Sequence, residues 1–343
     1  MQQLLSKLPV LIALIAVLAF LAYTGTRLGP RFLIRRLAGL VFVILGVTFI
    51  TFILGYLSPV GPEYTQCQAK CTPQLIHELR HFYGLDQPWW TQYFAFLNRL
   101  LHGSLGLSFT AKGQTVLGIM GRGVPISAEL GLSALVLQLL LGIPIGIFAA
   151  VRAGSKLDTV SMSIALILFS LPTFVLIPFY QLMIVWLSAH HIPHFGLSTS
   201  VANWGLNISI VAPIGILTIV GMGFYARLTR TTMLEVLNQD YIRTARAKGL
   251  RERVVIVRHA FRNALVPIVT AIGPAVAFVV GGAFFTETLF NIPGIGFWAV
   301  ASIGNSDMPV VQGTVLLVAI AVTVMNTVVD VVYGLLDPRI KIS

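Results

Sequence analysis

Six stretches of this chain run for roughly 20 residues or more with almost no charge, and that pattern dictates its environment. They lie at about Leu37–Leu57, Val124–Val151, Thr159–Leu187, Ile208–Ala226, Ala264–Phe285 and Val310–Leu336. An apolar segment of about 20 residues spans the hydrocarbon core of a bilayer as a helix, which satisfies its own backbone hydrogen bonds where water cannot. The interruptions Gly142, Pro144, Pro172, Pro178, Pro213 and Pro274 would break soluble helices but are tolerated in membrane bundles. Composition agrees: of 343 residues only 10% are charged and 56% are hydrophobic, too little charge to coat a soluble globule, where about 25% is usual. A soluble enzyme, a soluble binding module and a disordered chain are excluded. A shorter apolar stretch, Leu8–Tyr23, precedes a basic linker from Arg27 to Arg36. The expected fold is all-α, a polytopic membrane protein of six core helices plus one extra amino-terminal helix. Residues 1–30 hold that extra helix and linker. Residues 31–123 hold the first core helix and a long outer region with amphipathic helices, and 124–343 the remaining core with a cytoplasmic loop at 227–263.

The net charge of +11 could suggest a nucleic-acid partner, but its distribution does not. With the Arg27–Arg36 linker placed in the cytoplasm, seventeen of the 23 Lys and Arg residues fall on the inner side, nine of them between Arg227 and Arg262. Such asymmetry is the positive-inside signal of membrane topology, so nucleic acid is not needed to explain it. Lys7 before an apolar run resembles a secretory signal. Cleavage near Tyr23–Gly25 would leave the basic linker outside, however, so an uncleaved helix with its amino end outside is expected, and a cytoplasmic carboxyl end.

Most of the inner charge sits in TRTTMLEVLNQDYIRTARAKGLRERVVIVRHAFRNALVP, Thr229 to Pro267. Asp240 is placed to cap a helix Tyr241–Lys248, and Gly249 to supply a left-handed stop after a cationic last turn. The small residues Thr244, Ala245 and Ala247 would let a partner approach closely. A second stretch from Arg251 leads to the span beginning near Ala264, with Pro267 in its opening turns. None of these residues suggests catalysis.

This segment resembles the cytoplasmic signature loop of ABC-importer permeases in their dipeptide/oligopeptide form. Arg243, Thr244 and Ala245 occupy the positions of Glu-Ala-Ala in the general pattern, Gly249 follows at the family spacing, and Ala264–Pro267 resembles the closing part. The resemblance continues through Phe82–Phe109, Leu141–Asp158, Phe290–Trp298, Met308–Leu317 and Val331–Ile340, about Arg31 to the end. It implies a type I ABC importer permease fold. It also implies that Asp240, Tyr241, Arg243, Thr244, Ala245, Arg246, Ala247, Lys248 and Gly249 form a coupling helix that docks on an ATPase subunit. The implied assembly holds a second homologous permease, two ATPase subunits and an extracellular solute-binding protein, in the cell (inner) membrane. No G-x-x-x-x-G-K-[ST] phosphate loop is present, so no cofactor is expected on this chain; ATP and Mg belong to the partner ATPases. The substrate implied is a di- or oligopeptide, with nickel, an oligosaccharide or another solute as alternatives within the branch.

Several other features compete for attention. His77-Glu78-Leu79-Arg80-His81 is literally H-E-x-x-H, a metalloprotease pattern, yet it lies where the permeases carry an amphipathic outer helix. A solvated face is the plainer reading, and no metal site is assigned to His77 and His81. An ion-coupled secondary carrier would usually place more charge at the membrane midplane. Cys67 and Cys71, outside, can form a disulfide or remain free thiols. Glu129 falls inside the outer boundary and either borders the translocation path or pairs with Arg122. Asp330 near the inner end is expected to cap or to pair with Arg339.

Overall fold

The computed structural model of the protein describes residues 30–58, 61, 72–111, 113–194, 196–205, 207–281 and 283–336. The Leu8–Tyr23 stretch and the Cys67/Cys71 pair lie outside the described residues. The described chain is all-helical. Its helices are α1 (Pro30–Tyr56), α2 (Pro73–Tyr83), α3 (Trp89–Leu101), α4 (Val116–Val151), α5 (Lys156–Ser170), α6 (Thr173–Ala189), α7 (Val211–Leu237), α8 (Asp240–Ala247), α9 (Glu252–Val254), α10 (Arg262–Gly281), α11 (Phe284–Leu289), α12 (Ile295–Gly304) and α13 (Met308–Leu336). Five spans are long and apolar enough to cross a membrane, and α5 with α6, a bent apolar pair, makes a sixth if the two are counted as one broken span.

That broken span departs from the expectation of one helix over Thr159–Leu187. α5 and α6 meet at 92°. Pro172 offers no N–H to continue the ladder, and its ring forces Leu171 into an extended conformation (φ −82°, ψ 117°), so the helix ends and restarts. Two further boundaries move. α7 does not stop near Ala226 but continues to Leu237, so the first third of the expected cytoplasmic loop is helical stem. The span expected at Ala264–Phe285 ends at Gly281, and Phe284 and Phe285 belong to the separate short helix α11.

Two packing features position the rest. α1 and α13 run antiparallel: Arg36 pairs with Asp330 at one end, which we label inner after its basic residues, and a Cβ on Gly55 would lie 3.5 Å from Met308 at the other, labelled outer. Asp330 therefore pairs with the first core helix; Arg339 lies outside the described residues. α4 and α7 approach backbone to backbone. A Cβ on Gly142 would fall 2.7 Å from the Met222 carbonyl oxygen, and one on Gly146 would fall 2.6 Å from Thr229 Cβ, closer than any real side chain allows. α5 joins the same body through Gly223 of α7, which lies against the Ala165 carbonyl. Without water to drive association in lipid, such contact between small residues is how helices gain packing energy.

Candidate functional site

The inner end of the bundle is organised around α8. Its eight residues place Ile242 and Ala245 three apart and therefore on one face. Both are buried, against Ala150 of α4, Met233 of α7, Val255, Ala260 and Ala264. Burying the Ile242 side chain contributes about 2–3 kcal/mol, enough to fix so short a helix on the bundle. Ala245 thus anchors α8 to its own chain and is not displayed to a partner, whereas Thr244 and Ala247 are exposed. Tyr241, Arg243, Arg246 and Lys248 are exposed with them, giving a cationic outer face with one aromatic ring.

The amino end of α8 is built differently from expectation, the carboxyl end as expected. Gln239, not Asp240, stands at the cap, and no side chain closes it. Asp240 is the first helical residue, favourably placed toward the helix dipole, and lies 3.5 Å from Arg243 in an exposed pair that contributes little. At the other end Gly249 takes the left-handed conformation (φ +74°). Its N–H donates to the Arg246 carbonyl at 2.9 Å, and that of Leu250 to Ala245 at 3.4 Å, so the helix is stopped as the sequence implied. Arg246 then reaches forward to Glu252, with Nη2 2.7 Å from Oε1. The hydrogen bond to that carboxylate raises the guanidinium further above its ordinary value. Tyr241 accepts a hydrogen bond from Asn263 Nδ2 at 2.6 Å. Between α9 and α10 the backbone widens into a π-helix, Val255–Phe261, a rare form frequent at functional sites.

One pair at this end was not singled out from sequence. Arg230 on the α7 stem grips Asp158 of α5 side-on, Nε to Oδ1 at 2.6 Å and Nη2 to Oδ2 at 2.7 Å. Gly154 donates its N–H to the same carboxylate at 2.9 Å. Asp158 is only 3% exposed. The available signal was Ser155 three residues before Asp158, which marks a helix start: Ser155 Oγ accepts from the Asp158 N–H.

At the outer end Glu129 does not pair with Arg122. Its carboxylate accepts the Trp204 indole N–H at 2.8 Å, while Arg122 donates to Gln114 and to the Gly118 carbonyl. Two buried carboxylates organise the outer loops. Asp307 accepts from the Ser108 hydroxyl, from the Phe109 and Thr110 N–H groups at 3.1 Å, and from the Thr110 hydroxyl. Glu287 accepts from the N–H groups of Ala283, Gly296 and Phe297, closing the amino end of α12. A cavity of about 1130 Å³ opens between the outer end of α1, α2, α3 and the start of α13, with Arg80, His81, Asp86 and Arg99 in its wall. His77 and His81 lie exposed on α2, and among the described residues no three His, Cys, Asp or Glu side chains group as metal ligands would.

Comparison with known proteins places this architecture. Residues 142–342 match the binding-protein-dependent transport system inner membrane component family, and residues 30–129 match its amino-terminal counterpart. The chain is similar to the dipeptide transport system permease protein DppB of Bacillus subtilis (strain 168), 37% identical over 91% of this chain and 98% of the relative. It is also similar to DppB of Escherichia coli (strain K12), 34% identical over 91% and 98%. A third relative is the di/tripeptide transport system permease protein DppB of Pseudomonas aeruginosa (strain UCBPP-PA14), 37% identical over 90% and 98%. With five apolar spans and a bent apolar pair, a short helix half buried and half displayed, and family matches over most of its length, the chain belongs to the binding-protein-dependent transport system inner membrane components, the multi-pass permease subunits of ABC importers.

Proposed function

We propose that this permease carries di- or oligopeptides inward and forms half of the translocation pathway beside a second homologous permease. Two ATPase subunits on the cytoplasmic side would supply the energy and hold the ATP and Mg, and an extracellular solute-binding protein would deliver the peptide. The observation that carries this reading is α8: a short helix pinned by Ile242 and Ala245 to three spans and showing Tyr241, Arg243, Thr244, Ala247 and Lys248 outward. A helix fixed on one side and cationic on the other is suited to pass a push from a docked subunit into the bundle. The peptide substrate is carried over from the named activities of the relatives. The α1–α13 pair supports a cytoplasmic carboxyl end, because Arg31, Arg35 and Arg36 open α1 at the end where Arg36 meets Asp330 of α13. Glu129, exposed within an apolar span beside Trp204, is assigned to the pathway wall.

The test is uptake of labelled dipeptide into cells that lack other peptide uptake and express the whole system. Arg243→Glu with Arg246→Glu, or Gly249→Pro, should abolish ATP-driven uptake while the protein still reaches the membrane. Intact uptake in both variants would remove α8 from the coupling role. Uptake of nickel or an oligosaccharide, but no peptide, would replace the substrate.

A further inference from the structure

The α7 stem overhangs the inner end of the bundle and carries α8 at its tip. Arg230 lies two turns before the stem ends at Leu237, about 10 Å along the helix axis. At that level α5 reaches across and grips it: both guanidinium contacts to Asp158 are 2.7 Å or shorter, and the Gly154 N–H fixes the carboxylate from behind. Such a fork of two parallel hydrogen bonds holds direction as well as distance. Above it α4, α5 and α7 are in backbone contact at Gly142, Gly146 and Gly223, so these three helices have little freedom to slide. On the far side of α8 the chain is compliant by comparison. The π-helix Val255–Phe261 and the two prolines inside α10, Pro267 and Pro274, each leave a helical hydrogen bond unmade or displaced.

A displacement applied to α8 therefore has two routes into the bundle, one stiff and one soft. We propose that Asp158 and Arg230 are positioning residues for energy coupling: they clamp the α7 stem to α5, so that a displacement of α8 moves α4, α5 and α7 as one body. Through the bend at Leu171–Pro172 that motion continues into α6, whose midpoint Gln181 donates to the carbonyls of Thr199 and of Leu289 at the end of α11. Without the clamp the stem tip would swing on its own, and the π-helix would absorb the motion. Neither residue touches substrate or nucleotide in this scheme. The proposal rests on the reading of α8 as the coupling helix.

The experiment uses the complete transporter, both permeases, both ATPases and the binding protein, reconstituted in liposomes. Asp158→Asn removes the charge at constant shape, and Arg230→Lys keeps the charge but loses the fork. Both should assemble with the ATPases in normal proportion and hydrolyse ATP at the basal rate. Stimulation of hydrolysis by loaded binding protein, and peptide moved per ATP, should each fall about tenfold or more. Asp158→Cys with Arg230→Cys, joined by a short bis-thiol crosslinker, should recover stimulation that the unjoined pair lacks. A purely structural role would lower yield or thermal stability without changing peptide per ATP. Normal coupling in Asp158→Asn or Arg230→Lys overturns the proposal, and so does failure of both variants to assemble, since the pair would then serve folding. If the unaltered transporter shows stimulated hydrolysis but moves no peptide, the substrate reading fails. The clamp is then judged on stimulation alone.

Discussion

Arg36 and Asp330 are paired although 294 positions separate them in the chain. The contact closes the inner end of the α1–α13 pair, and the two side chains remain about a third exposed. Solvent and lipid headgroups therefore screen it. A double-mutant cycle with Arg36→Ala and Asp330→Ala, read by thermal unfolding of the detergent-solubilised chain, should give a coupling of about 1 kcal/mol. A coupling near zero would mean that α13 is held by apolar contact alone.

Gly146→Ala should be costly. The added methyl would meet Thr229 Cβ and the Ala226 carbonyl, and relieving it requires α4 and α7 to part, at about 1–3 kcal/mol. Gly39 is the control, since a methyl there meets nothing within 4 Å and alanine favours helix. Unfolding temperatures should fall for Gly146→Ala and hold or rise for Gly39→Ala.

Ile242→Ala removes the fully buried anchor of α8 and should cost about 2–5 kcal/mol locally. The measurable result is faster trypsin cleavage after Arg243, Arg246 and Lys248, with spans still protected. Weaker retention of the ATPase subunits should accompany it.

Tyr83, in the outer helix α2, titrates above an ordinary phenol, first because of burial and second because of the nearby Asp307 carboxylate. The neutral ring is therefore the form the fold favours. Its contribution is fully present below pH about 10, the unperturbed value, and is lost as pH rises through the folded one. Asp307→Asn removes the second cause, so phenolate absorbance should appear at lower pH than in the unaltered protein. An unchanged titration would mean that burial alone sets it.

What could be read from sequence was whatever local chemistry controls. Apolar length gave the spans, Gly249 gave the stop of α8, and the order of motifs gave the family. The bend at Leu171–Pro172 was hidden because hydropathy continues unbroken through it, although Pro172 carried the signal. Ala245 was misassigned because a small residue looks alike on either face; only the Ile242–Ala245 spacing shows which side is buried. Neither Asp158–Arg230 nor Arg36–Asp330 could be paired from sequence: Ser155 marks where the Asp158 helix starts, but each partner comes from a helix that becomes a neighbour only after the bundle forms.

The right-angled turn between α5 and α6 also limits where this chain can live. The last carbonyls of a helix have no partner in its own ladder; at the end of α5 the Leu171 N–H reaches Leu168 at 3.4 Å, while the Ser170 hydroxyl turns back to Leu166, one turn too early to serve the rest. Bare carbonyls facing acyl chains cost several kcal/mol each. The turn must therefore lie against water or against another protein surface. A lone copy dispersed in lipid would hide it poorly, so the chain carries in its own backbone a reason to be one part of a larger transporter.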